Sequence, residues 1–582
     1  MKQIIYAAPN YAKLREANGY FVDKTEYIAK LEQVSNPIYL RPRRFGKSFL
    51  CSMLEFYYDL NHKERFQELF GDTWIGQHPT GKQNQYIVLR LNFSTIEVGK
   101  TIDEIETSFR NHCNRRIKAI YQRNTSLFEE IPDTDLNVPV SNNLDALLSD
   151  IEVMELPLLF VIIDEYDNFA NQLIIRSQNS LFHQLVGEGG FLKTFFKVLK
   201  AGRESGAIEN IYITGILPMT IDELASAFNV GTFLTLDPTF EAMVGFTQSE
   251  VDTLLDEIFV DYDFPQNMRG VVDELIKNHY DGYHFVKPAV DKDSVALYNT
   301  TILMYFLRHL TQHGEITEYL TDENLRTDIG WMRRLNEANP QLAESMSNQL
   351  MIEKALPYNR LTLPIRFNVS NFFDNQFFST ALFYLGLLTR KNETQLTFPN
   401  LNMYHIFVGY FNERHQLDTT NPFALPILDF IREPNLESLF RTYWEAYVAH
   451  LPEVVFMQMN ENFYRTTFYQ VCMEHLSSYF IWNVERSYPE GKSDLEFIGK
   501  HNQKFSGMRW VIEFKYYSNS AIKKKLQTDK ITLDEFTVQE EDLKQVRGYI
   551  QGLRREYPEA QVSQFVIYCF GNLDFRVFAV DG

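Results

Sequence analysis

Between residues 36 and 216 short apolar runs alternate with amphipathic stretches, and nothing else in the chain limits its fold so tightly. Strand-length runs occupy 37–40, 86–91, 157–163 and 211–216. Helical apolar spacing fills 49–60, 101–121, 143–153 and 191–201. Strands separated by helices predict an α/β fold, a parallel sheet with helices on its faces.

The first run leads into Arg41-Pro42-Arg43-Arg44-Phe45-Gly46-Lys47-Ser48 and then into a helix. Phosphate binding needs inward backbone N–H groups at a helix N-terminus, a lysine for the β/γ-phosphates and a hydroxyl for Mg²⁺. Gly46, Lys47 and Ser48 are the half of such a loop that does the chemistry. Arg41 stands where the pattern GxxxxGK[ST] has its first glycine, which leaves the loop geometry open. The third run ends in Asp164-Glu165. Such a strand presents one carboxylate to Mg²⁺ and the next to attacking water, although an acidic cap on an ordinary strand reads the same way. Both pieces lie at the C-terminal ends of predicted strands, where open α/β sheets bind ligands. Thr214, at the end of the fourth run, is either a γ-phosphate contact or a polar strand end before Gly215.

Residues 220–345 read as helical, with apolar spacing over 249–259, 268–277 and 301–310, as a helical lid would have. Residues 346–455 are aromatic-rich and mostly helical in pattern. From 456 to 582 the predicted order is helix, strand, strand, helix, strand, strand. Asp494 begins one of these strands, and Glu513-Phe514-Lys515 lies on the next. Period-2 alternation puts Glu513 and Lys515 on one face, which a hairpin would bring to Asp494. Metal-dependent phosphodiester cleavage uses carboxylates for Mg²⁺ and a lysine for the attacking water. Isolated ExK triplets are common on solvated strands, so the helices before and after it carry the reading. Glu485 and Glu474 are further carboxylate candidates. Gln545, with Tyr549 one turn on, is a polar candidate on the closing helix. Lys523-Lys524-Lys525 and Arg554-Arg555 are the nearest basic clusters, as easily solvated faces as phosphate contacts.

Tyr20-Phe21-Val22-Asp23-Lys24-Thr25, the Arg41–Ser48 loop and Ile163-Asp164-Glu165-Tyr166-Asp167 resemble a bacterial AAA-ATPase-like family with a C-terminal PD-(D/E)XK nuclease-like domain. Thr214-Gly215, Ala227-Phe228-Asn229, Val244-Gly245-Phe246-Thr247 and Tyr280-Asp281-Gly282-Tyr283 extend the likeness. The resemblance implies ATP and Mg²⁺ as cofactors. It assigns phosphate contact to Lys47, Mg²⁺ to Ser48 and Asp164, and water activation to Glu165. Arg43 and Arg44 add positive charge near the phosphates or serve as solvated or interdomain contacts. At the C-terminal domain it implies Asp494 and Glu513 on Mg²⁺, with Lys515 completing the catalytic set. Asp23 and Lys24 fit a structural pair bracing the loop. The implied division is 1–219 ATPase-like, 220–345 lid, 346–455 connecting region and 456–582 nuclease-like.

At 582 residues the chain exceeds one core. Its net charge of −20 requires any nucleic-acid contact to use a local basic surface. Cys51, Cys113, Cys472 and Cys569 lie far apart without ligand spacing, which points to reduced thiols in a cytosol. Neither an apolar leader nor a membrane-length run is present, so a cytoplasmic protein without a membrane is expected. The reading is an ATPase coupled to a nuclease acting on DNA, with homo-oligomers open. Its alternative is an ATP-driven switch whose nuclease-like domain only binds protein or nucleic acid; a factor that remodels a partner is remoter.

Overall fold

Five parallel strands form the N-terminal sheet: β1 (Pro37–Leu40), β2 (Ile87–Asn92), β3 (Leu159–Asp164), β4 (Ile208–Gly215) and β5 (Thr232–Phe233). Their order is β2-β3-β4-β1-β5 in a computed structural model. It describes residues 2–6, 8, 10–128, 134–176, 178–187, 189–218, 229–317, 320, 329–363, 373–456, 458–488, 491–500 and 503–580. All six residues of β3 are buried, as in a strand covered on both faces. The covering helices include α1 (Lys47–Tyr58), α2 (Ile102–Arg123), α3 (Val140–Val153) and α4 (Phe191–Ser205). Thr101 and Glu104 close a capping box at the start of α2, a device worth about 1 kcal/mol. The order places β4 between β1 and β3, so the 41–48 loop and the Asp164-Glu165 turn flank the end of one strand.

Three helices follow in the stretch expected to form a lid, α5 (Gln248–Asp261), α6 (Gln266–Tyr280) and α7 (Thr300–His313). Further along lie α8 (Pro340–Glu353), which crosses the expected boundary at 345, α9 (Leu401–His415) and a small antiparallel sheet. That sheet, β6 (Ala355–Pro357), β7 (Thr389–Arg390) and β8 (Gln395–Thr397), escapes periodicity because its strands have two or three residues.

The C-terminal unit starts with α10 (Glu461–Leu476), which Asn460 caps by accepting from Phe463 N at 3.0 Å. Its sheet contains β9 (Phe480–Tyr488), β10 (Gly491–Gly499), β11 (Met508–Tyr517), β12 (Gln561–Phe570) and β13 (Asp574–Val580). The order is β13-β12-β11-β10-β9, with β11 and β12 parallel and the other neighbours antiparallel. The expected element order therefore lacked β9 and the helix α11 (Asn519–Asp529), which precedes α12 (Glu540–Glu556). β9 follows α10 after three residues, and its second half is charged, which hid it from the apolar pattern. Lys523–Lys525, taken as a charge run, lies on α11.

One apolar core runs continuously from Tyr11 to Phe575, so lid, connecting region and C-terminal sheet pack on one another. Helix α6 lies directly against the edge strand β9. All four cysteines are buried thiols. Among the described residues no helix is long and apolar enough to cross a membrane. Ala227 and Phe228 of the quoted motifs, and the side chain of Arg555, lie outside the described residues.

Candidate functional site

The 41–48 loop leaves β1 and enters α1 with two left-handed residues, Arg44 (φ 69°) and Gly46 (φ 97°). Arg41 is not left-handed, so the position does not demand glycine. Its buried guanidinium donates to Leu40 O (3.1 Å), Thr235 O (2.7 Å) and Glu241 O (3.2 Å). It also lies over the rings of Tyr39 and Phe285, at 4.5 and 4.2 Å. Arg41 thus ties the sheet to the segment that leads into the lid.

The lid holds the loop in turn. Asn299 Nδ2 donates to Arg43 O (3.1 Å), Thr300 Oγ1 to Arg44 O (3.0 Å), Thr301 N to Arg44 O (3.1 Å) and Gly245 N to Phe45 O (3.1 Å). Phe45 meets Tyr283 and Phe285 edge-on at 4.9 and 5.4 Å. The motifs around Gly245 and Tyr283 are accordingly loop braces. Lys24 reaches Glu250 on α5 at 2.6 Å, and Asp23 accepts from Thr25 N and Trp74 N at 2.8 and 2.7 Å. Lys24 thus ties the N-terminal segment to α5, and Asp23 ties it to Trp74.

Lys47 is buried at the first position of α1, and its Nζ donates to Arg41 O (2.9 Å) and Pro42 O (2.8 Å). Burial lowers its pKa, against the opposing pull of Glu165, Asp164 and Asp167. Asp164 is 0 % exposed, and neither carboxylate oxygen has a hydrogen-bond partner. Arg90 Nη2 stands 4.0 Å from it. Two orphaned anionic oxygens in a buried site fit a divalent cation. Ser48 is exposed beside them, and its carbonyl accepts from Arg90 at 3.2 Å. Arg90, also bound to Glu55 at 2.9 Å, went unnoticed in the sequence; its signal was an arginine inside an apolar strand.

Glu165 is left-handed (φ 50°), and burial raises its pKa while Lys47 opposes the rise. Thr214 is buried and donates to Tyr39 O at 2.7 Å, so its hydroxyl hydrogen bridges β4 to β1. Gly215 is required next to it, because a Cβ there would lie 2.4 Å from Asp167 Oδ1. Arg43 lies in the field of Lys47 and Glu165, whereas Arg44 supplies the left-handed bend. Beside Gly46 a mainly apolar pocket of about 170 Å³ opens between Tyr20, Phe21, Phe49, Met53, Val244 and Met304.

In the C-terminal sheet β10 and β11 pair antiparallel through Leu495 and Ile512, and Asp494 lies one residue further. Its Oδ2 accepts from Phe514 N (2.8 Å) and its Oδ1 from Arg465 Nη1 (2.7 Å). Arg465 also donates to Glu485, which is left-handed at φ 57° inside β9. Glu513, only 2 % exposed, accepts from Lys515 Nζ (2.9 Å) and Gln545 Nε2 (2.7 Å) through Oε1. Its Oε2 has no partner and so fits a cation. Lys515 also donates to Gln545 Oε1 at 3.2 Å.

Burial, then Asp494, pushes the Glu513 pKa well up, against Lys515. Burial lowers the Lys515 pKa, but Glu513 and other carboxylates outweigh it and the net shift is upward. The sheet therefore brings Asp494, Glu513 and Lys515 together, and Gln545 joins them. Glu474 instead accepts from Gln470 at 2.7 Å. Glu461, the first residue of α10, was missed; burial, then Asp494, pushes its carboxyl up to about 7. Among the described residues no group of three or more His, Cys, Asp or Glu is arranged to hold a metal.

Fold and sites together define an α/β chain with a phosphate-loop sheet at one end and a D…ExK sheet at the other. Residues 5–225 match the model of a family described as predicted AAA-ATPase. Residues 459–578 match that of the PD-(D/E)XK nuclease superfamily. No curated protein matches the chain.

Proposed function

We propose that the chain binds and hydrolyses ATP with Mg²⁺ and couples this to Mg²⁺-dependent cleavage of DNA at its C-terminal domain. One observation carries the reading: each site has a lysine beside a buried carboxylate with an orphaned oxygen, Asp164 near Lys47 and Glu513 at Lys515. The division into 1–219, 220–345, 346–455 and 456–582 belongs to the same proposal.

At the first site Lys47 exchanges its two loop carbonyls for phosphate oxygens, while Ser48 and Asp164 would hold Mg²⁺. Glu165 accepts the proton of the attacking water, and burial makes it a stronger base than a free carboxylate. Arg43 and Arg44 flank the phosphates, and the apolar pocket beside Gly46 suits the base. At the second site Asp494 and Glu513 would hold Mg²⁺, and Lys515, fixed by Glu513 and Gln545, orients the water. Bound Mg²⁺ supplies Lewis-acid charge at both phosphates.

The test is cleavage of plasmid and single-stranded DNA with Mg²⁺ or Mn²⁺, which wild-type protein performs and Lys515→Ala does not, with ATP turnover equal in both. A second reading, an ATP-driven switch with a non-catalytic C-terminal domain, draws on Asp494, whose two oxygens are already engaged by Arg465 and Phe514.

A further inference from the structure

A groove of about 360 Å³ lies where α6, the connecting region and β9 meet, and it adjoins the C-terminal site through Glu485. Lys277 and Asp281 line it from the end of α6, Lys354, Asn400 and Tyr404 from the connecting region, and Glu485 from β9. Lys354 ends α8 in a left-handed conformation and lies 4.9 Å over the ring of Tyr404, and neither it nor Lys277 has a carboxylate within ion-pair distance among the described residues. Asp281 is 8 % exposed, its backbone carbonyl accepts from Asn400 at 2.9 Å, and its Oδ1 accepts nothing. The groove thus offers two lysine amines without a carboxylate partner and one orphaned acceptor, the complement of a phosphate joined to a group bearing N–H or O–H.

We infer that this groove binds a nucleotide unit of the nucleic-acid strand whose scissile phosphate lies at Glu513 and Lys515. Lys277 and Lys354 take backbone phosphate oxygens, and Asp281 Oδ1 accepts from the sugar or base. Proximity favours a strand over a free nucleotide: Glu485 in the groove wall shares Arg465 with Asp494 of the nuclease-type site. Arg465, which Glu485 shares with Asp494, offsets part of the repulsion between Glu485 and the phosphate. Burial pushes the Asp281 carboxyl up to about 6; burial, then Arg465, pushes the Lys354 ammonium down to about 7. Lysines that track backbone phosphates along a groove are one element of single-strand binding.

This inference rests on the nuclease reading, and the test separates the two. Binding of a fluorescent single-stranded 20-mer to the full chain is measured by anisotropy in EDTA, over a salt series, for wild type and for Lys277→Gln/Lys354→Gln. The double variant should bind at least about fivefold more weakly, with a log–log salt slope shallower by about 1.4, the value for two phosphates. Unchanged ATP binding and melting temperature confirm that the variant is folded. Equal affinity and slope would overturn the groove but leave the nuclease site untouched. Wild type that binds no oligonucleotide would overturn the nucleic-acid reading itself. A third arm titrates AMP and inorganic phosphate; their loss in the variant with oligonucleotide binding intact would overturn the strand in favour of a free nucleotide.

Discussion

Arg486 Nε of β9 lies 3.5 Å from Glu274 Oε1 of α6, so an ion pair joins the C-terminal sheet to the lid helix that precedes Tyr283. Tyr283 in turn packs edge-on against Phe45 of the phosphate loop. One residue earlier on the same strand, Glu485 shares Arg465 with Asp494. A short chain of contacts thus connects the two candidate sites. If ATP shifts the lid, Glu274→Arg should reduce the effect of ATP on DNA cleavage while each activity persists. The reciprocal swap, Glu274→Arg with Arg486→Glu, should restore part of it. Cleavage rates with and without ATP for the four proteins form the cycle, and an ATP effect equal in all four contradicts the coupling route.

Arg41→Gly would give the loop its common glycine, yet it should harm the protein. Thr235 O and Glu241 O lose their donor, and the space over Tyr39 and Phe285 opens. We expect a loss of about 2–4 kcal/mol in urea denaturation. An unchanged midpoint with tighter nucleotide binding would show instead that the arginine serves no structural end.

At the ATP site, Lys47→Ala should abolish nucleotide binding in calorimetry. Glu165→Gln should bind normally and hydrolyse about 10²–10⁴-fold more slowly, the usual worth of a general base. Turnover at the wild-type rate in Glu165→Gln would remove Glu165 from that role.

Glu461 gives a pH signature. Its folded carboxyl titrates at about 7 against an ordinary 4.5, so between these values the native chain holds a proton that the unfolded chain has released. Stability of the metal-free protein must then fall as pH rises through that window. Glu461→Gln should match wild type below about pH 4 and melt higher at about pH 8, where the carboxylate is otherwise ionised, partly buried and in the field of Asp494. Melting temperatures at both ends check this, and a difference independent of pH would contradict it.

The parallel sheet was legible because β1 to β4 are apolar runs separated by helices, and each expected strand lies within about three residues of its observed one. β5 was not, because two residues carry no periodicity and its place follows from pairing with β1. Asp494, Glu513 and Lys515 could be read from spacing, since strand alternation fixes which face they share. Glu461 and Arg465 could not: they come from a helix whose approach to the site depends on packing over β10 and β11. Arg41 looked like a defect in a motif, and only its acceptors on residues 235 and 241 explain it.

The most direct measurement is Mg²⁺-dependent cleavage of labelled single-stranded and plasmid DNA, with and without ATP, by wild type, Lys47→Ala and Lys515→Ala. Wild type should cut, with a rate that responds to ATP; Lys47→Ala should cut without that response; Lys515→Ala should not cut while its ATP turnover stays intact. Wild-type protein that cleaves neither substrate with Mg²⁺ or Mn²⁺, with or without ATP, would contradict an ATP-coupled nuclease and leave the switch with a non-catalytic C-terminal domain.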